Sequence, residues 1–148
     1  MLSDADVESL LDIQPASAAA PSTAAPASRL PVLDRDQVQS IRGLGKPRVF
    51  ERLCEMLFAS AKDGFTRLDA ALAAGDLEEI GIAAHTLRSP VANLGGRRLA
   101  DLLERCEIAA VDSRDLVAAR RASAGLKAHY VALVAALEAE TRRGHAAG

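Results

Sequence analysis

Beyond Val32 the apolar residues recur every three or four positions, the spacing of one face of an α-helix, and they do so in four long runs. The first run is Phe50, Cys54, Leu57, Ala61, Phe65, Leu68 and Leu72. Pro47 suits the first turn of this helix, and Gly75 ends it. Asp76 reads as the N-cap of a second helix with a seam of Ile80, Ala84, Leu87, Val91 and Leu94, running to about Leu94 and broken by Gly95 and Gly96. A third helix, about 97–110, carries Leu99, Leu102, Leu103, Cys106 and Ala110 on one side. A cap at Asp112 or Ser113 opens a last long helix with Leu116, Ala119, Ser123, Leu126, Tyr130, Leu133 and Leu137, and the tail TRRGHAAG is expected to fray. Ahead of the four runs, Asp34 caps a shorter helix that carries Val38, Ile41 and Leu44 and stops at the turn GLGKP.

Four amphipathic helices joined by short turns must bury their stripes against one another, and short connections make neighbours antiparallel. The expected fold is all-α, an antiparallel up-down four-helix bundle with a short N-terminal cap helix, over residues 32–143. Residues 1–13 form a short amphipathic leader, LSDADVESLLDI after the initial Met, with Val7, Leu10 and Leu11 on one face. Residues 14–31 hold four of the six prolines and no sustained apolar period, so they read as a disordered Ala/Pro-rich linker. Residues 144–148 are tail.

Composition agrees with helices packed on helices, since aromatics make up 3% of the 148 residues and Trp is absent. The formal charge of −2 argues against a nucleic-acid binder. No apolar run approaches the roughly 20 residues that span a bilayer, and the N-terminus lacks a basic region followed by an apolar core, so a cytoplasmic protein is expected. Cys54 and Cys106 are too few for a disulfide framework and sit on apolar stripes, as buried thiols do.

Chemistry concentrates in the second long helix, IGIAAHTLRSPVANLGGRRL, at His85. This residue lies off the apolar seam, and its helical neighbours are Gly81, Arg88, Ser89 and Ala92. Three of these are small, which leaves an imidazole standing clear with one guanidinium beside it. A neutral imidazole is a nucleophile near pH 7 without a separate base. Counting back through the Gly95-Gly96 turn brings residues 105–107 to the height of His85. Glu107 then either pairs with neighbouring arginines or faces the ring. Arg97 and Arg98 open a helix where the macrodipole disfavours cations, so Arg97 is a candidate docking residue for an acidic partner. His129 lies beside a core position, and no second ligand stands at helical spacing from His85, so a metal-binding bundle is not expected. A Gly-rich phosphate loop and an ATP lid are also missing.

The run HTLRSPVANLGGRRLADLLERCE resembles the histidine-containing phosphotransfer (HPt) domain, with its pattern H-x-L-K-G-S-S-A-x-x-G-A followed by an acidic helix. His85 matches the phosphoacceptor, Leu87 the core leucine, Ala92 the small residue, Gly95 the interhelical glycine, and Arg88 the position usually held by lysine. The resemblance extends from about Leu33 to Glu140. It implies a phosphocarrier without an ATP site of its own, whose histidine exchanges a phosphoryl group with receiver-domain aspartates. Mg²⁺ would be supplied by the receiver. Arg88 would offset charge on the phosphoryl oxygens, Glu107 would orient the ring as a carboxylate or amide does in some members, and Gly81, Ser89, Ala92 and Arg97 would form the docking face. The partners implied are receiver domains or a hybrid histidine kinase, of which this chain could be the C-terminal module; no nucleic acid or membrane is implied, and a monomer is expected. Two departures bear on docking: Ser89 stands where glycine is usual, and Pro90 lies inside the helix, where it removes the amide that would bond to the Thr86 carbonyl. They favour the alternative of a non-catalytic helical adaptor that binds and sequesters a receiver or kinase. The leader also resembles the LSQxEIDxLL peptide with which flagellar switch proteins bind a phosphorylated chemotaxis receiver, through Leu2, Ser3, Val7, Leu10 and Leu11.

Overall fold

The computed structural model describes residues 17–18, 20–21, 29–44 and 48–147, with side chains for 29–44 and 48–143. The leader, most of the linker, Pro47 and the side chain of His145 lie outside the described residues. The chain divides into two compact units, Met1–Leu30 and Pro31–Gly148. In the first, β1 (Ser17–Ala18) and β2 (Ala20–Pro21) pair antiparallel, Ser17 opposite Pro21.

The second unit is all-α among its described residues. Its helices are α1 (Arg35–Arg42), α2 (Val49–Ala74), α3 (Leu77–Asn93), α4 (Arg97–Val111), α5 (Leu116–Ser123) and α6 (Leu126–Ala147). The four long ones form the bundle, packed through Leu57 and Leu68 of α2, Ile80 and Val91 of α3, Leu99 and Leu103 of α4, and Leu133 and Leu137 of α6, none more than 1% exposed. Truncating one of these leucines to alanine costs about 2–5 kcal/mol, through lost transfer energy and the cavity left behind. Asp34 caps α1, accepting from the amides of Asp36 and Gln37, and Asp76 caps α3, accepting from that of Glu79.

The structure corrects the C-terminal third. The last long helix is two helices, with Ala124 and Gly125 between them, because glycine weakens a helix interior and a short break preserves the three-four step of the seam. Asp115, rather than Asp112 or Ser113, caps α5, accepting from the Ala118 amide. The tail is helical to Ala147 and not frayed from Thr141. α6 is tied to α1 at Glu140, which is 3% exposed and holds Arg35 of α1 at 3.0 Å and Arg143 of its own helix. At the other boundary, α2 begins at Val49 because Arg48 adopts a left-handed conformation (φ 71°). Leu44 lies past the end of α1 and is 66% exposed, not core.

The two short helices cover opposite ends of the bundle. From α5, Arg120 donates to the Leu72 carbonyl near the end of α2 at 2.8 Å. From α1, Gln37 donates to the Ala92 and Asn93 carbonyls at the end of α3, at 3.0 and 2.9 Å. The Asp34 amide donates to the Gly95 carbonyl at 2.7 Å. Gly95 is in the left-handed region (φ 87°), and a Cβ there would lie 2.9 Å from the Asp34 carbonyl, so the α3–α4 turn needs glycine twice over. Both ends of the helix bearing His85 are thereby fixed.

Candidate functional site

His85 projects from the middle of α3, with its side chain 63% exposed. α4 packs antiparallel beside α3 and brings Glu107 to the ring, where the carboxylate Oε2 lies 3.0 Å from Nδ1. A carboxylate oxygen can only accept, so this bond places the ring proton on Nδ1 and leaves the lone pair on Nε2. Glu107 is only a quarter exposed, which strengthens its hold.

Arg88 approaches from the next turn of α3. Its Nη2 lies 3.5 Å from Nδ1 and 3.6 Å from Glu107 Oε1, while Nη1 lies 3.6 Å from Glu104 Oε1. A guanidinium cannot donate to a nitrogen that already carries a proton, so the contact with the ring is proximity. The ion pairs are its bonds. Glu107 Oε1 is buried with no hydrogen bond, so the Arg88 charge at 3.6 Å is what faces it. The guanidinium therefore sits on the Nδ1 side with two carboxylates, away from the face that a phosphoryl group on Nε2 would occupy.

The remaining predicted residues divide. Ser89 and Ala92 are exposed on α3 beyond the ring, and Pro90 is half-buried inside the helix. Gly81 does not give open clearance: it is buried, and a Cβ there would lie 2.4 Å from Val111 Cγ2, so its smallness lets α3 and α4 approach. Arg97 is not brought to the ring. It faces Asp34 Oδ2 at 3.9 Å, at the α1 end of the bundle. His129 is half-buried on α6. Among the described residues, no group of three His, Cys, Asp or Glu side chains is placed to hold a metal ion, and no helix is long and apolar enough to cross a membrane.

Periodicity alone did not disclose the surface beside His85. A groove of about 600 Å³ opens there between α3 and α4, lined by Glu78, Ile82, Thr86, Val111 and Arg114 as well as His85 and Glu107. Ile82 lies off the α3 seam, a signal available in the sequence; Arg114 lies in a turn that offers none. Glu104, the second carboxylate on Arg88, was likewise missed, although it is three residues from Glu107 on the same helix face.

The Hpt domain family model matches residues 52–140. Among solved structures the chain is similar to histidine-containing phosphotransfer protein B (HptB) from Pseudomonas aeruginosa PAO1, with a TM-score of 0.69 and 21% identity over 76% of this chain and 96% of that one, a likeness of fold. No curated protein matches the sequence. The family match covers more than half of the chain and includes His85, Arg88 and Glu107; the chain belongs to the Hpt domain family.

Proposed function

We propose that the protein is a phosphoryl carrier of a two-component phosphorelay, in which His85 reversibly accepts a phosphoryl group from one receiver-domain aspartate and donates it to another. The observation that carries this reading is an exposed imidazole whose Nδ1 is tied to Glu107 at 3.0 Å. In the forward step the Nε2 lone pair attacks phosphorus, the P–N bond forms as the bond to the aspartyl oxygen breaks, and the electron pair leaves with the carboxylate. No proton moves, because Nε2 enters without one and Nδ1 keeps its own. The phosphorylated ring is a cation, and Glu107 faces it. Donation is the reverse. Catalysis is thus positioning and electrostatics, as phosphoryl transfer requires.

In this reading Glu107 fixes the ring and Arg88 fixes Glu107. Arg88 is a positioning residue, not a ligand of the phosphoryl oxygens. Mg²⁺ comes with the receiver. The setting is the cytoplasm, where free thiols such as the buried Cys54 and Cys106 stay reduced.

The test is incubation with receiver domains phosphorylated from radiolabelled acetyl phosphate. The carrier takes up acid-labile, base-stable label, and His85→Gln takes up none. Stable binding without label would replace this reading with the sequestering adaptor.

A further inference from the structure

The groove beside His85 is lopsided. Ile82 and Val111, 42% and 49% exposed, give it an apolar wall, and among the described residues Arg114 is the only arginine or lysine that lines it. Near the site Arg88 and Arg105 each have an acidic partner within 4 Å. Arg114 has neither hydrogen bond nor ion pair among the described residues. Its position is nevertheless well defined. The backbone is left-handed (φ 50°), a conformation that costs a residue with a Cβ about 1–2 kcal/mol. It is held by the next residue, whose amide donates to the Ala109 carbonyl at 2.9 Å and whose carboxylate caps α5.

α4 runs antiparallel to α3, so the chain past Val111 lies toward Glu78, seven residues before His85 and about 10 Å along the helix. That places Arg114 on the rim, clear of the reacting phosphorus. An unpaired guanidinium on the rim of this groove, beside its apolar wall, attracts an acidic side chain at encounter, within a Debye length of about 8 Å. We propose that Arg114 is a specificity-determining docking residue, pairing with an acidic side chain that flanks the phosphorylated aspartate of the receiver. The inference rests on the phosphocarrier reading and adds which receivers it accepts.

The test is rapid-quench transfer from a panel of purified receiver domains, each phosphorylated with acetyl phosphate and Mg²⁺, to the full chain. Arg114→Gly removes the cation and suits the left-handed backbone, so folding is preserved. It is expected to raise KM for the preferred receiver about fivefold with kcat and phosphohistidine lifetime unchanged, and Arg114→Glu to raise KM further. Arg114→Lys restores KM to within about twofold, and added salt raises KM for the wild type more than for the glycine variant. If wild type is labelled but both Gly and Glu variants keep its KM with every receiver, this inference is overturned alone. If wild type takes no label from any receiver, the phosphocarrier reading falls and this inference with it.

Discussion

The Glu107 carboxylate 3.0 Å from Nδ1 is proposed to decide which nitrogen of His85 faces a partner, and its two proposed functions can be separated by substitution. Gln retains an acceptor for Nδ1–H but removes the negative charge that faces the phosphorylated ring; Ala removes both. Transfer to His85 is expected to slow by a few-fold in Glu107→Gln and by about 10–100-fold in Glu107→Ala, as loss of a hydrogen-bond partner that orients a metal-bound imidazole does. Rapid-quench kinetics measure the rates, and nitrogen chemical shifts of the ring report the tautomer. An alanine variant with the wild-type rate and tautomer would remove Glu107 from the mechanism. His85, Arg88 and Glu107 were legible in the sequence because helical arithmetic and one short turn suffice to bring them together. Arg114 was not, because a left-handed residue in a turn leaves no periodic trace. The packing of Gly81 against Val111 was not legible either, since a missing side chain looks the same whether it leaves room for solvent or for a neighbour.

Among the helices, the placement of α3 against α2 depends on Gly64. A Cβ at this position would lie 2.5 Å from Leu87 Cδ2 and 2.8 Å from its Cγ. Leu87 is 2% exposed, and it lies two residues from His85. Gly64→Ala gains up to about 1 kcal/mol of helix propensity, but overpacking costs about 1–3 kcal/mol. The expected net result is a loss of stability of about 1 kcal/mol in urea titration, reversed when Leu87→Val is added. A fully stable single variant would show that α2 and α3 can slide apart. The long helices were readable from their seams, as was the bundle. The break between α5 and α6 was not, because Ser123 and Leu126 keep the period across it.

For the whole molecule, the two buried thiols give stability a dependence on pH. Burial pushes both Cys54 and Cys106 up to about 11, with Glu51 adding to the effect at Cys54. The unfolded chain ionises its thiols near 9, so between about pH 9 and 11 the unfolded state releases protons that the folded state retains, and stability falls. The loss is on the order of 2 kcal/mol for Cys106, which is 0% exposed. Burial also raises Tyr130, which adds in the same direction at still higher pH. Urea midpoints compared at pH 8 and pH 10.5 should fall for wild type by more than for Cys106→Ala. Equal falls would mean that the thiol reaches water in the folded state.

The grip of α1 also sets an order in time. Residues 77–111 contain both members of the His85–Glu107 pair, so that pair has its partners as soon as α4 leaves the ribosome. α1 was made earlier and yet waits longer. Asp34 and Gln37 find the turn at residues 92–95, but Arg42 must wait for the Glu140 carbonyl, 98 residues downstream. Among the described helices α1 is therefore made first and fully secured last, and the hairpin that holds His85 and Glu107 can be assembled before α1 is clasped to α6.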